Sequence, residues 1–239
     1  MRCTALRINK FISETGYCSR READKLVAEG RVTINGVTAE LGSQAELGDD
    51  VRVNGKKIGK QSKHVYIALN KPVGITSTTE PHIKGNIVHF VNHPERIFPI
   101  GRLDKDSEGL ILLTNDGDVV NPILRSEGRH EKEYVVTVDK AITPSFLKGM
   151  SEGVHILGSK TLPCKLKQIG PRTFHIILTE GKNRQIRRMC EAFGYHVIKL
   201  KRIRIMNILL DDLPKGKWRN LTEDEKRILF NQIHYEQRQ

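Results

Sequence analysis

The stretch that decides how this chain is organised is FPIGRLDKDSEGLILLTNDG, residues 98–117. Its first three residues are apolar, Gly101 then permits a tight bend, and four charged residues follow within residues 102–106. After Gly109 the chain is apolar through residues 110–113. A surface loop needs no apolar flanks, and a core strand avoids charges. The segment therefore predicts an acid-bearing turn between buried elements, with Asp104 as the candidate functional group.

The residues around Asp104 leave its role open. An acid beside an arginine commonly caps a turn or pairs with that neighbour, which here is Arg102. A nearby arginine also favours the ionised carboxylate, and that state suits a nucleophile. Alternatively, Asp104 and Asp106 could hold Mg²⁺ in a metal-dependent nuclease.

The composition of the whole chain favours an anionic partner. The 239 residues include 40 Lys and Arg against 28 Asp and Glu, which gives a net charge of +12. Such an excess favours a nucleic acid or an anionic membrane. No basic helix with a bulky apolar face stands out, so we expect a nucleic acid and no membrane. The four cysteines form no Cys-x-x-Cys pair, and the N-terminus has no apolar leader, which favours a cytoplasmic location.

Motifs for nucleotide cofactors and zinc are absent from the sequence. There is no phosphate loop, no G-x-G-x-x-G that opens a helix after a strand, and no H-E-x-x-H. The pattern H-x-E followed by C-x-x-C is also missing. The sequence therefore predicts that the protein uses no cofactor and has no dedicated metal site.

The first fifty residues predict a small domain of two helices and short strands. Apolar residues recur at helical spacing in two segments, Ile8, Phe11 and Ile12, then Ala23, Leu26 and Val27. Ser19 and Glu22 match a capping box at the start of the second helix. Asn35-Gly36 is a strong hairpin turn, and VRVNGKK from Val51 repeats the pattern. Basic side chains opposite the apolar helix face suit docking onto phosphates, although they could also form an ordinary solvated face.

A second, larger domain follows, and its pattern is that of an α+β fold. We place the first domain at residues 1–52, a polar linker at 53–64 and the second domain at 65–239. YVVTV at 134–138 and TFHIILTEG at 173–181 predict strands. RQIRRMCEAFG at 184–194 predicts a helix. Because the order of elements is irregular, a mostly antiparallel sheet is expected rather than a βαβ repeat.

Two of these elements carry further candidate residues. In the first strand Tyr134 shares a face with Val136 and Val138, so it is either part of a buried site or a plain core aromatic residue. On the helix, Arg187 lies nearer the apolar edge than Arg184 or Arg188. Arg187 can therefore reach inward, while the other two arginines are expected to face outward, towards phosphates.

Two resemblances add to these patterns. LRINKFISETGYCSRREADKLVAEGRVTINGV, residues 6–37, resembles the S4 RNA-binding domain. The stretch at 98–117 is similar to the G-R-L-D motif of RNA pseudouridine synthases of the RsuA branch. Three further segments match blocks of that branch, and all the blocks occur in the same order as in the branch. These segments are LNKPVGITST at 69–78, EKEYVVTV at 131–138 and EGKNRQIRRMCEAFGYHVIKLKRIRI at 180–205.

The resemblance implies roles for individual residues. Asp104 matches the essential aspartate, Tyr134 the tyrosine that stacks on the target base, and Arg187 the basic partner of the aspartate. Leu200 matches an apolar wall of the pocket, and Arg102 is a second candidate partner of Asp104. The S4 module implies RNA contacts by Lys10, Ser19, Arg20, Arg21 and Lys25, to which we add Arg184 and Arg188 in the second domain.

The implied fold is a small S4-type domain followed by a catalytic domain built on a mostly antiparallel mixed sheet with flanking helices. The implied activity is the isomerisation of uridine to pseudouridine in structured RNA, by base flipping and without a cofactor. We expect 23S ribosomal RNA as the target, with a transfer RNA stem-loop as the alternative, no DNA partner and a monomeric protein. A non-catalytic RNA-binding assembly factor and, less favoured, the metal-dependent nuclease remain open as alternatives.

Overall fold

The structure, a computed structural model, describes residues 5–59, 63–125 and 128–235. The chain divides into two compact units. One comprises the chain up to Val65 together with Pro94–Arg96, and the other comprises the rest.

The N-terminal unit contains the two predicted helices and short strands. The helices are α1 (Ile8–Glu14) and α2 (Arg20–Ala28), and the strands are β1 (Leu6–Arg7), β2 (Val32–Ile34), β3 (Val37–Thr38), β4 (Gln44–Ala45), β5 (Val51–Val53) and β6 (Lys56–Ile58). All six predicted apolar helix residues are buried. Strand β1 pairs with β4, and the others form a sheet in the order β3-β2-β5-β6. Both Asn-Gly pairs have positive φ, which the primed turns of tight hairpins require.

The segment predicted as a linker, residues 53–64, is mostly part of this unit. Val53 ends β5, and β6 pairs with β5 in antiparallel register. The strand was missed because β6 is an edge strand with two exposed lysines, and such strands carry charge to prevent further pairing. Residues 60–62 of the predicted linker lie outside the described residues.

A mixed sheet forms the centre of the C-terminal unit. Its strands are β7 (Tyr66–Lys71), β8 (Phe98–Pro99), β9 (Glu108–Thr114), β10 (Lys132–Val138), β13 (Lys165–Gly170), β14 (Thr173–Leu178), β15 (Val197–Ile205), β16 (Ile208–Leu209) and β17 (Trp218–Asn220). The order is β13-β14-β10-β15-β9-β7-β17, with β16 beside β15 and β8 beside β9. Among these described strands every pairing is antiparallel except that of β9 with β15. Strands β11 (His155–Ile156) and β12 (Ser159–Lys160) form a separate hairpin.

Helices pack against this sheet. They are α3 (Ile87–Val91), α4 (Val120–Leu124), α5 (Pro144–Ser151), α6 (Gln185–Ala192) and α7 (Glu223–Gln232). Leu229 and Phe230 of α7 share a buried cluster with Ala68 and Leu112 of the sheet. Helix α6 corresponds to the helix predicted at residues 184–194, and Arg184 is its N-cap residue.

The parallel contact between β9 and β15 depends on a glycine. Gly109 lies opposite Arg202 in the register, and its φ is +105°. A Cβ atom at this position would overlap the Arg202 carbonyl oxygen and lie 2.8 Å from the Arg202 nitrogen. Only glycine combines this backbone conformation with so close an approach. The last residues of the acid-bearing turn are thereby fixed against β15.

We expect Gly109→Ala to destabilise the protein strongly, because the new methyl group would collide with rigid backbone. Gly158→Ala is the matched control, since Gly158 also has positive φ (+75°) but has open space around it. The control should lower the free energy of unfolding by about 1 kcal/mol from backbone strain alone. Gly109→Ala should cost at least about 2 kcal/mol more. Urea denaturation of both variants measures the difference, and equal losses would contradict the close approach.

Candidate active site

A cavity of about 600 Å³ opens on the C-terminal unit beside the acid-bearing turn. Its walls come from the start of that turn, from strands β10 and β15, and from the segment that leads into α6. Five of the sequence-predicted site residues line it, namely Arg102, Asp104, Tyr134, Arg184 and Leu200. The structure thus brings together residues up to 98 positions apart in the sequence.

The strand pair β10–β15 supplies one wall of the cavity. Tyr134 lies opposite Arg202 in the register, and Val136 lies opposite Leu200. Tyr134 and Leu200 are both buried, and alternation along β10 buries Tyr134 on the same face as Val136. The predicted face of Tyr134 is therefore correct, and its ring belongs to the cavity wall.

The backbone of the acid-bearing turn is held by the segment after β7. The Ser77 hydroxyl donates to the Leu103 carbonyl oxygen (2.8 Å) and accepts from the Leu103 amide (3.2 Å). The Gly74 amide donates to the Lys105 carbonyl oxygen at 2.7 Å. Both supporting residues belong to LNKPVGITST, so this segment fixes the backbone on either side of Asp104.

Lys71 is a fully buried lysine at the start of the same block. Its ammonium group donates to the carbonyl oxygens of Pro72 and Ile75, each at 3.0 Å. Burial lowers the pKa of Lys71 to about 8, although the negative charges of Asp104 and Asp106 act in the opposite direction. Lys71 thus closes its own loop and adds positive charge behind the acid-bearing turn.

The ion pair to Asp104 comes from Arg184, and this corrects the predicted pairing with Arg187. The Arg184 Nη1 atom lies 3.7 Å from the Asp104 Oδ2 atom, which is an ion pair without a short hydrogen bond. Arg187 is buried as predicted, but its guanidinium donates to the backbone oxygens of Asp106 and Val197 at 3.0 and 3.2 Å. Arg187 therefore supports the end of the turn from inside the protein.

Asp106 takes most of the hydrogen bonding of Arg184. Two guanidinium nitrogens of Arg184 donate to the two Asp106 carboxylate oxygens at 3.1 and 2.9 Å. Hydrogen bonding from Arg184 holds the pKa of the Asp106 carboxyl below its usual range, and the charge of Arg187 adds to this. Because Asp106 binds Arg184 in this two-pronged way, the Asp104 carboxylate keeps acceptor capacity for a ligand in the cavity.

The remaining predicted arginines divide into two groups. Arg102 is exposed and lines the cavity, whereas the ion-pair partner of Asp104 is Arg184. Arg184 is exposed, and its side chain contacts both acids from a residue with left-handed backbone (φ 50°, ψ 35°). Arg188 is partly exposed and folds back onto Asn183, to whose carbonyl oxygen it donates at 3.2 Å.

Two cationic residues of the cavity wall escaped the sequence analysis. Arg202 is only 4% exposed, and Lys132 lies near the start of β10. Each is two positions from a predicted site residue. Lys132 comes two residues before Tyr134, and Arg202 comes two residues after Leu200. Because side chains in a strand share a face every second residue, this spacing was the signal that could have identified them.

The predicted RNA-binding residues of the N-terminal unit lie along its two helices. Arg20, Arg21 and Lys25 of α2 are exposed. The Ser19 hydroxyl accepts from the Glu22 amide at 3.2 Å, so Ser19 acts as the N-cap of α2. Lys10 of α1 lies 3.5 Å from the Glu14 carboxylate. The basic face predicted from the helical pattern is therefore present on α2.

Neither a metal centre nor a membrane span is found in the described ranges. No group of three or more His, Cys, Asp or Glu side chains there is placed to hold a metal ion. The two acids that a nuclease would need are instead contacted by guanidinium groups. No helix of residues 5–59, 63–125 and 128–235 is both long and apolar enough to cross a bilayer.

The buried Lys71 predicts a pH dependence of stability. Its pKa of about 8 lies below the ordinary 10.5, so above about pH 8 the folded protein has released a proton that the unfolded chain still binds. Stability then rises with pH in this window. We expect the free energy of unfolding of the wild type, relative to Lys71→Met, to increase between pH 7.5 and 9.5. Urea denaturation at both pH values tests this, with Lys148→Met as a control for the loss of one exposed charge; a decrease would contradict it.

Comparison with known proteins identifies the family of each domain. Residues 65–192 match the family model for RNA pseudouridylate synthase, and residues 6–51 match that for the S4 domain. The dual-specificity RNA pseudouridine synthase RluF of Salmonella typhi is 59% identical over 96% of this chain and 80% of its own length. The ribosomal large subunit pseudouridine synthase B of Bacillus subtilis is 41% identical over 93% of this chain and 95% of its own.

A solved structure also resembles the whole chain. A crystal structure of a pseudouridylate synthase is 30% identical, has a TM-score of 0.69, and covers 94% of this chain and 99% of that one. The predicted S4-type domain and the predicted catalytic domain are both confirmed by these matches. The chain therefore belongs to the RNA pseudouridylate synthase family and carries an S4 domain at its N-terminus.

Proposed function

We propose that this enzyme isomerises uridine to pseudouridine in 23S ribosomal RNA, and that Asp104 is its essential catalytic group. The observation that carries the proposal is the Asp104 carboxylate, which lines a cavity with Tyr134 and, among the described residues, has one long ion pair, to Arg184. Membership of the pseudouridylate synthase family supports the same reaction. A transfer RNA stem-loop is a second candidate substrate, and the dual specificity of the Salmonella relative favours testing both.

The reaction explains why a carboxylate can suffice. The N1–C1′ bond of uridine breaks, the uracil turns, and C5 bonds to C1′. C5 releases a proton and N1 takes one up, so nothing is oxidised and no atom is gained. Such an isomerisation requires positioning and charge stabilisation more than a reagent. The site supplies both through a fixed acid and surrounding cations.

The target base must leave its stack before it can react. Flipping costs roughly a few kcal/mol, and stacking on an aromatic ring returns about 1–3 kcal/mol per base. Tyr134 in the cavity wall is the ring on which we expect the uracil to stack, and Leu200 is the apolar surface beside it. The cavity volume of about 600 Å³ leaves ample room for one nucleotide.

Binding of the RNA backbone is assigned to two basic regions. In the N-terminal unit, Arg20, Arg21 and Lys25 lie on the exposed face of α2. In the C-terminal unit, Arg102 and Arg184 lie at the cavity. Phosphate contacts of this kind give affinity without sequence specificity. We further propose that the enzyme acts as a cytoplasmic monomer.

Asp104→Asn should abolish pseudouridine formation, because it removes the negative charge and nearly preserves the shape. RNA affinity should stay within a few-fold, since the phosphate contacts are untouched. Chemical mapping of pseudouridine with a carbodiimide, together with a filter-binding assay, gives both values. Asp212→Asn, at an exposed site, is the matched control and should retain activity. Substantial turnover by Asp104→Asn would reject Asp104 as the catalyst. A wild-type protein that binds the RNA but forms no pseudouridine would instead favour the assembly factor.

Addition of EDTA separates this proposal from the nuclease. Isomerisation by Asp104 should proceed at the same rate with and without the chelator, because no step assigned to these residues needs a metal ion. Loss of activity on chelation, with RNA cleavage restored by Mg²⁺, would favour the nuclease instead.

The joint change of Arg20 and Arg21 to Ala should weaken RNA binding and flatten its salt dependence. Each lost phosphate contact should reduce the slope of log K against log salt by about 1. Lys148→Ala with Arg227→Ala removes the same charge from exposed positions of the C-terminal unit and serves as the control. Titrations at several salt concentrations measure the slopes. Equal slopes for both double variants would show that α2 is an ordinary solvated helix face that makes no phosphate contacts.

A further inference from the structure

Two cationic residues of the cavity wall, Arg202 and Lys132, have no carboxylate partner in the described part of the chain. Other basic residues near them are compensated. Arg204, two positions further along β15, lies 2.9 Å from Glu131 and 3.0 Å from Glu133. The charge of Lys71 is opposed by those of Asp104 and Asp106. Although Glu131 and Glu133 flank Lys132 in the sequence, both acids pair with Arg204 in the structure.

Arg202 is held rigidly and retains unused hydrogen-bonding capacity. Its Nε atom donates to the Leu110 carbonyl oxygen at 2.7 Å. Its Nη2 atom is buried and has no hydrogen-bond partner within the described residues. A buried donor without a partner costs about 1–3 kcal/mol, and more when the group is charged. Such a cost is explained if a ligand provides the missing acceptor.

Lys132 adds a second positive charge to the same wall. Its ammonium group has one long hydrogen bond, to the His130 carbonyl oxygen at 3.3 Å. Burial lowers the pKa of Lys132, and the positive charge of Arg202 lowers it further. The two side chains therefore repel each other in the free protein. An electron-rich ligand between them would relieve both the repulsion and the missing hydrogen bond.

The position of Arg202 indicates which part of a nucleotide would meet this pair. Its guanidinium carbon lies 6.0 Å from the centre of the Tyr134 ring. Because the guanidinium lies over the Tyr134 ring, a base that stacks on this ring would lie close to Arg202. Phosphates, by contrast, are better met by the exposed Arg102 and Arg184 than by a side chain that is 4% exposed.

We propose that Arg202 and Lys132 form an electrostatic site for the flipped uracil, donate to its carbonyl oxygens and stabilise the negative charge that it acquires during the reaction. This inference rests on the proposed function. Whether Asp104 adds to the ribose or removes a ribose proton, the electron pair of the N1–C1′ bond leaves with the base. The resulting uracil anion is held by the two cations until C5 bonds to C1′, as the Asp104 oxygen leaves C1′ in the first case or the proton returns to the ribose in the second. C5 then releases its proton and N1 takes one up. Charge is thus stabilised where it develops, by groups already in place.

The test compares Arg202→Gln and Lys132→Gln with wild type in two measurements. One is the rate of pseudouridine formation at saturating RNA in a single turnover, and the other is the RNA dissociation constant over a range of salt concentrations. We expect each rate to fall by about 100-fold, as for the loss of one charge-stabilising donor. The dissociation constant and its salt dependence should change by less than threefold.

Arg204→Gln is the matched control, since it removes an arginine of the same strand that has its own acid partners. It should alter thermal stability while the rate of the folded protein remains near wild type. Arg202→Lys restores the charge without the planar fork and should recover part of the lost rate. If Arg202→Gln does not fold, Lys132→Gln at a less buried position gives the same comparison.

Three outcomes would overturn the inference. In the first, both Gln variants react at the wild-type rate. In the second, RNA affinity and its salt slope fall while the saturated rate stays intact, which would make the pair a phosphate site. In the third, Arg204→Gln slows the reaction as much as Arg202→Gln, which would make the effect structural. A wild-type protein that forms no pseudouridine would instead reject the proposed function itself.

Discussion

The close contact between the Gly109 and Arg202 backbones is the constraint on which the site depends. It joins β9 and β15 in parallel, in a sheet whose other described pairings are antiparallel. On one side of this contact lies the acid-bearing turn with Asp104, and on the other lies the wall with Leu200 and Arg202. A side chain at residue 109 would separate them. The arrangement of acid and pocket wall therefore follows from one position that only glycine can occupy.

Several positively charged side chains surround Asp104 at different distances. Arg184 contacts it directly but is bound more closely by Asp106, and Arg187 supports the turn from the protein interior. Lys71 is bonded within its own loop and adds positive charge near the two acids. The acid is thus surrounded by positive charge while its own oxygens are only lightly bound. Such an arrangement suits a carboxylate that must act on a ligand, because a two-pronged arginine contact to Asp104 itself would occupy its acceptor positions.

Much of the fold could be predicted from local pattern. Helical spacing and Asn-Gly turns gave the N-terminal helices and hairpins, and the alternation at 134–138 gave the buried face of Tyr134. Strand β6 was missed because its lysines resemble a linker. These successes and this failure have one cause, since local pattern reports burial and turn geometry but not the pairing of an exposed edge.

The ion pairs of the site could not be predicted in the same way. Helical periodicity correctly placed Arg187 inside, but it could not show that Asp106 would bind Arg184 across 78 positions of sequence. The left-handed backbone of Arg184 turns its side chain towards the acids, and no helical wheel contains that conformation. Arg202 was missed because the alternating cations of β15 resemble an exposed strand face, although its two-residue spacing from Leu200 places it on the same face.

The central claim is that an extruded uracil stacks on Tyr134 within reach of Asp104. A crystal structure of the Asp104→Asn protein with an RNA stem-loop that contains the target uridine tests it most directly. We predict that the target base lies in the cavity, against the Tyr134 ring, with its C1′ atom roughly 3.5 Å from the side chain at position 104. A target uridine that stays stacked in the RNA, or that is bound away from this cavity, would contradict the account.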